Sequence, residues 1–305
     1  MSGPVRVSVP ASSANIGPGF DAFGLALDLR NTFTAEPAEE WTVEIAGEGA
    51  GALPTGADNP VAAAAASVFA EAGVGGAALI RCENRVPPGE GLGSSAAAVV
   101  GGLLLGDALA GAGMSHAEIL TLAAGIEGHP DNAAAALLGG FTVSWDDGEP
   151  RALRVAPGCG LAVVLVRPTR GLATADSRSL LPAEVAHADA AFNASRAGLL
   201  AAAVSSGDEH ALAAGLTDRI HEPYRRVAIP DIEFVRSALL DAGAIGAVLS
   251  GAGPAMIGVV CAPDADAALA RAAEVAEAAA PAIACLPDRR PPLALGIDLS
   301  GAITG

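Results

Sequence analysis

The chain has no lysine. All 17 basic residues among its 305 are arginines, set against 34 acidic residues for a formal charge of −17. Without lysine a P-loop NTPase is excluded, because its motif places that side chain on the phosphates; PLP enzymes and Schiff-base mechanisms fall with it. The shortage of positive charge excludes a nucleic-acid partner, since phosphate backbones are bound through a basic footprint. It leaves room for a small anionic ligand wherever a few arginines converge. Long apolar runs are missing too. Mean hydropathy is +0.45, yet the longest apolar stretch, Ala96–Gly106, is broken by Asp107. A spanning helix needs about 20 apolar residues, so no membrane partner is expected. The first residues, MSGPVRVSVPASSANIG, hold no uninterrupted apolar core of the signal-peptide kind. Cysteine is scarce: Cys82, Cys159, Cys261 and Cys285 show no CxxC and no His at ligand spacing. That pattern predicts reduced, buried thiols, no metal cage and a cytoplasmic location.

At 51% hydrophobic and 17% charged the chain is globular, and its length fits two domains, as single cores stop growing near 250–300 residues. Val5–Val9 alternates as a strand ending at Pro10, and Ala11–Gly19 reads as a loop. Strands are predicted over Trp41–Ile45, Ala77–Glu83, Phe141–Trp145, Leu161–Val166, Ala247–Ser250 and Ala255–Cys261. Helices are predicted over Val61–Ala72, Ser94–Ala110, Ser115–Gly125, Ala133–Leu138, Glu184–Val204, Asp208–Thr217, Ile232–Ala242 and Ala265–Ala280. Ser115 and Glu118 form a capping-box pair. An acidic, Pro- and Gly-bearing break at Asp146–Pro157 places a boundary between domains 1–156 and 157–305. Helices and strands alternate in both halves, so the class is α/β or α+β.

Between the strand at Ala77–Glu83 and the helix at Ser94 lies Pro87-Pro88-Gly89-Glu90-Gly91-Leu92-Gly93-Ser94-Ser95. Its glycines let backbone approach a ligand, and the following helix offers unpaired amides and a partial positive charge, so phosphate is the natural ligand. A Gly-rich turn that merely caps the helix reads equally well from composition. A dinucleotide fingerprint fails, because the run is G-x-G-x-G and Asp107, the acidic residue near the required spacing, falls inside the predicted helix and not at a following strand's end. A protein-kinase loop fails for want of its companion motifs.

Pro87–Ala97, with Ala96 and Ala97 closing it, resembles the central P-x-x-x-G-L-G-S-S-A-A motif of the GHMP kinases, which include galactokinase, homoserine kinase and mevalonate kinase. Val9–Leu27 and Ser250–Gly258 are similar to the family's other two signatures, in the same order. The resemblance implies an α+β chain with a ribosomal-protein-S5-like N-terminal domain and a ferredoxin-like C-terminal domain, ATP being held between them. It implies nucleotide contacts from Pro87–Ala97, from Gly251 and Gly253, and from Asn59 on the adenine side. It also implies Mg²⁺ on Glu127 with Ser94, or Ser95, as its helix-side partner.

Within the superfamily, Ala11–Asp21 is most similar to the homoserine kinase branch, as are Glu127–Asn132, Thr174–Pro182 and His221–Arg225. The implied reaction is ATP-dependent phosphorylation of L-homoserine, with a homodimer by analogy. The residues agree with it independently. A zwitterionic amino acid needs an anion at its ammonium group and a guanidinium at its carboxylate; Asn15 and Asp21 suit the first, Arg178 and Arg225 the second. Each also has a plain reading, as helix cap, Asx-turn or surface ion pair. His129, Thr174 and Asn132 are carried over as substrate-side residues. For the hydroxyl proton the alternatives are Asp131 as base, or direct attack with Asn132 hydrogen-bonding the hydroxyl and Asp131 structural; the latter is preferred, because phosphoryl transfer depends mainly on positioning and charge. Two rival readings are a GHMP kinase for another small alcohol and a non-catalytic nucleotide- or amino-acid-binding relative.

Overall fold

A computed structural model describes residues 4–169 and 174–305. The first unit runs β1 (Val5–Ala14), β2 (Phe23–Ala38), β3 (Thr42–Gly47), α1 (Pro60–Glu71), β4 (Ala77–Asn84), α2 (Ser94–Ala110), α3 (His116–Glu127), α4 (Asp131–Leu138), β5 (Phe141–Asp146) and β6 (Pro150–Val155). The second runs β7 (Gly160–Val166), α5 (Thr174–Ser179), α6 (His187–Ser206), α7 (Glu209–Gly215), α8 (Glu222–Arg225), α9 (Ile232–Asp241), β8 (Gly246–Leu249), β9 (Met256–Ala262), α10 (Ala265–Ile283) and β10 (Leu293–Gly296), after which β11 (Ile303–Thr304) ends the chain in the first sheet. Among the described residues no helix is long and apolar enough to cross a membrane.

The second sheet is antiparallel, in the order β10-β7-β9-β8. Counting only these strands, that is 4-1-3-2 with helices between the first and second and between the third and fourth, the ferredoxin-like βαββαβ arrangement. The first sheet has the order β11-β1-β2-β4-β3, with β5 on β2 and β6 on β5. The fold is therefore the α+β, two-sheet architecture expected.

Three differences from the sequence reading have physical causes. Ala11–Ala14 is strand, not loop: after a register shift at Pro10/Ala11 it pairs with Gly24–Leu27 of β2. Small residues such as Ala and Ser carry little strand propensity, and tertiary pairing overrides it. The supposed linker at Asp146–Pro157 is largely a hairpin, with Asp147–Glu149 turning between β5 and β6. Residues 297–305, assigned to the second domain, return to the first: β11 pairs with β1, and Asp298 accepts from Arg30 and from the amides of Ser300 and Gly301. The cysteines also differ. All four are free, but only Cys82 and Cys261 are buried, while Cys285 is exposed.

β7 joins the units. All seven of its residues are buried. Alternation sends Leu161, Val163 and Leu165 into a core shared with Leu25, Leu27 and Phe141 of the first unit, whereas Ala162, Val164 and Val166 meet α9 and α10. Each fully buried Val or Leu contributes roughly 1.5–3 kcal/mol, so the units are fastened by a common apolar layer. A separate core lies between the first sheet and α1–α4.

α1 and α2 cross closely because alanines face glycines: a Cβ on Gly102 would lie 2.2 Å from the Val61 carbonyl oxygen. In a helix interior Ala is ordinarily favoured over Gly by about 0.5–1 kcal/mol. Gly102→Ala is nevertheless expected to lower the thermal midpoint, because overpacking costs about 1–3 kcal/mol. Gly198→Ala in α6, where a Cβ would meet nothing within 4 Å, is expected to raise it. Thermal unfolding of the two variants beside the parent checks both signs.

Candidate active site

The loop joining β4 to α2 is held from several sides. Asn31 Oδ1 accepts from the amides of Arg85 and Val86 (2.8 and 2.9 Å), the Ser12 amide donates to the Leu92 carbonyl (3.1 Å), and Ser250 Oγ donates to the Gly91 carbonyl (2.5 Å). Gly89, Gly91 and Gly93 all have positive φ. Gly93, at φ 63°, is the N-cap of α2, and no side chain caps that helix. A Cβ there would fall 2.1 Å from Ser12 Oγ, so this position admits only glycine. The uncapped first turn and the helix dipole favour an anion. That helix end opens into a cleft between the two units, whose walls include Asn15, Asp21, Glu127, Arg178, Arg225 and Gly251.

The helix serines part company. Ser95 Oγ donates to Glu127 Oε1 at 2.6 Å, while Ser94 Oγ points to the Val86 carbonyl (3.3 Å). Both line the cleft, but Ser95 is the hydroxyl beside the carboxylate. Glu127 stands there as the last residue of α3, whose start is fixed by the expected capping box of Ser115 and Glu118. Among the described residues no group of three or more His, Cys, Asp or Glu is gathered as a metal cage. The pair still fits a hard divalent cation carried by nucleotide phosphates, since Mg²⁺ commonly takes only one or two protein oxygens.

Asp131 opens α4 and is 2% exposed. Its Oδ1 takes His129 Nδ1 at 2.8 Å and the Asn132 amide at 2.6 Å. The hydrogen bond to Asp131 holds the His129 imidazolium above its ordinary pKa, against desolvation. Asn132 Oδ1 accepts from Ser12 Oγ (2.9 Å). All three residues line the cleft.

On the opposite side, Asn15 and Asp21 have φ of 69° and 55°, and with Ile16 they are the positive-φ non-glycine residues of the described chain. Such strain, of order 1–3 kcal/mol per residue, concentrates at functional sites. Asn15 Nδ2 donates to the Gly251 carbonyl (2.7 Å) and its Oδ1 accepts from the Asp21 amide (3.0 Å). Arg178 grips Asp21 with two bonds of 2.8 and 3.0 Å. Arg225 is 3% exposed. Burial lowers its pKa, with Asp21 opposing that shift, though a guanidinium keeps its proton in proteins. One of its terminal nitrogens meets His221 Nδ1 (3.0 Å) and the Gly251 carbonyl (3.2 Å). Its Nε, fully buried, has no partner among the described residues.

Sequence reasoning passed over three residues here. His221 Nε2 lies 2.7 Å from the Gly17 carbonyl, which can only accept; Nε2 thus carries the proton and Nδ1 is left to accept from Arg225. The spacing of His221 and Arg225, one helical turn apart, was the available signal. Phe20 stacks on His221, with the guanidinium carbons of Arg178 and Arg225 each 5.5 Å from its ring centre. Ser12 holds Asn132.

Other expected residues fall outside the cleft walls. Asn59 caps α1, accepting from the Val61 amide and donating to the Pro54 carbonyl. Ala96 and Ala97 are buried in helix packing; Pro87 is buried and Pro88 exposed beside the lining. Glu90 is buried and ion-paired with Arg167 and Arg290. Gly251 and Gly253 do line the cleft. The expectation for Thr174 rests on a side chain outside those described.

The GHMP kinases N terminal domain matches residues 59–140, and the GHMP kinases C terminal domain matches residues 199–280. A homoserine kinase of Moorella thermoacetica is 43% identical over 255 residues, spanning 82% of this chain and 86% of that one. The crystal structure of homoserine kinase from Cytophaga hutchinsonii is similar with a TM-score of 0.87 at 26% identity, covering 100% of this chain and 98% of its own. A putative homoserine kinase from Listeria monocytogenes has a TM-score of 0.78 at 31% identity, covering 99% of each chain. Identity at that level along most of both lengths reflects common descent: the chain belongs to the GHMP kinases, in their homoserine kinase family.

Proposed function

We propose that the chain transfers the γ-phosphoryl group of ATP to the side-chain hydroxyl of L-homoserine, in the cytoplasm, where its four free thiols would stay reduced. The observation that carries the substrate is Arg225: a buried guanidinium on the cleft wall whose Nε lacks a partner calls for an anion, and a carboxylate supplies one. Asp21 supplies the opposite charge. Its pair with Arg178 is half exposed, with side-chain exposures of 48% and 35%, so the pair itself is worth little. A zwitterion entering between these groups exchanges that pair for its own.

The triphosphate is read onto the amides of Gly89–Ser95 and the α2 N-terminus, which hold phosphate without lysine. Glu127 and Ser95 would hold Mg²⁺, which supplies charge neutralisation on the phosphates when bound. The homoserine hydroxyl oxygen forms the new bond to phosphorus as the bond to the bridging β–γ oxygen breaks and ADP leaves; with no protein base, the hydroxyl proton passes to a non-bridging oxygen of the transferred phosphoryl group. Asn132, fixed by Ser12, orients that hydroxyl. Asp131 spends Oδ1 on His129 and on the first turn of α4, which favours a structural role and direct attack.

A coupled ADP-release assay with Mg-ATP is expected to show turnover with L-homoserine well above that with mevalonate, galactose or L-serine; preference for another alcohol moves the substrate assignment. Arg225→Ala is expected to raise the homoserine KM about 10- to 100-fold, the range for a lost hydrogen bond to a charged group. Arg225→Lys should recover only part, because the planar fork is gone. Glu127→Gln is expected to lower kcat by at least about 10²-fold, and Asp131→Asn by less than about tenfold. Direct attack is falsified if the two losses are equal.

A further inference from the structure

Glu90 stands inside the phosphate-binding loop, where a carboxylate facing the cleft would repel a triphosphate. It does not face the cleft. It is 6% exposed and meets two arginines of the second unit: Arg290 at 3.0 Å and Arg167 at 3.4 Å. Burial holds the Glu90 carboxyl above its ordinary pKa, and the two guanidiniums offset that shift in part. Arg167 follows β7 directly, and its carbonyl accepts from the Arg290 amide (2.9 Å), so the two cations come from adjoining backbone. The neighbour of Arg290 completes the arrangement. Arg289 binds Asp231 with two bonds (2.6 and 2.7 Å) and donates to the Pro254 carbonyl (2.5 Å). Pro254 closes the second glycine loop, Gly251–Pro254, which faces the first one.

We propose that Glu90 is a positioning residue: with Arg167 and Arg290 it latches the phosphate-binding loop to the second unit, while Arg289 fixes the facing loop from the same strand-to-strand backbone. The inference rests on reading the cleft as an ATP site. It assigns the spacing between the two glycine loops to one short arginine pair, Arg289-Arg290, and it accounts for a carboxylate at a place where charge alone argues against one.

The test uses a sign that charge and positioning give oppositely. Removing the Glu90 charge makes the loop's surroundings more positive, so electrostatics alone tightens ATP binding in Glu90→Gln. Loss of the latch loosens it. We expect Glu90→Gln and Arg290→Gln each to weaken Mg-ATP binding, by calorimetry and as KM for ATP, about five- to tenfold, with the homoserine KM within about twofold of the parent. The exchange Glu90→Arg with Arg290→Glu should recover part of the loss. Arg290→Gln removes a cation and so weakens ATP binding on either account; the double variant Glu90→Gln with Arg290→Gln, which leaves the net charge unchanged, carries the test should Glu90→Gln alone fail to fold. Unchanged or tighter ATP binding in Glu90→Gln, or in the double variant, overturns the latch alone. A parent protein that binds no Mg-ATP overturns the ATP reading, and the latch with it.

Discussion

Four consecutive residues, Ser12 to Asn15, hold the cleft together. The Ser12 amide binds the phosphate loop at Leu92 while its hydroxyl binds Asn132. Ser13 Oγ lies 2.9 Å from Ser250 Oγ, which accepts from it because its own proton goes to the Gly91 carbonyl; the Ala14 carbonyl accepts from the Gly251 amide (3.0 Å), and Asn15 reaches the Gly251 carbonyl. One end of β1 therefore touches the glycine loop, the start of α4 and the second unit's glycine turn. Both serines are fully buried, so each of these bonds replaces one that water cannot supply, and an unmade bond there costs roughly 1–3 kcal/mol. The apolar layer around β7 sets the two units side by side; this polar seam sets their register to a fraction of a hydrogen-bond length.

The same economy governs charge. A chain with twice as many carboxylates as guanidiniums has few cations to spend on an anionic ligand. In the proposed reading, much of the phosphate recognition therefore falls to backbone amides and a helix end, which cost no side-chain charge. The arginines are used at close quarters instead. Arg225 and Arg178 line the cleft, Arg289 and Arg290 bind acidic and carbonyl groups of neighbouring loops, and Arg30 holds the C-terminal return at Asp298, Ser8 and Gly301. Arg178, Arg289 and Arg30 each engage two or more nitrogens of one planar fork, a geometry lysine does not offer. This fits a protein that dispenses with lysine, though nothing in the structure explains the complete absence.

Much of the site was legible because its signals are short in sequence. α2 spans the residues expected of it, and the capping box at Ser115 and Glu118 is formed. Gly89, Gly91 and Gly93 of the glycine run, Glu127, His129, Asp131, Asn132, Arg178 and Arg225 do meet in one cleft. The less legible parts share a cause. The second half of β1 looks like a loop, because its small residues become strand only on meeting β2. β2 itself passed unnoticed, since it runs for 16 residues through a change of register and serves two different cores. Glu90 reads as a nucleotide residue in a nucleotide motif until its partners 77 and 200 positions away turn it aside.

Local chemistry was decided along the chain: which helix would have an uncapped, glycine-fronted end, which loop could bring amides near phosphate, and which residues could answer a zwitterion. These depend on neighbours within a few positions, where dihedral freedom and side-chain type are enough. Closure decided the rest: that Ser95 and not Ser94 stands against Glu127, that His221 orients Arg225 through the Gly17 carbonyl, and that residues 297–305 leave the second unit for the first sheet. A hydrogen bond has a tolerance of a few tenths of an ångström. No pattern of spacing can place atoms that finely across 200 residues, and packing of the shared core can.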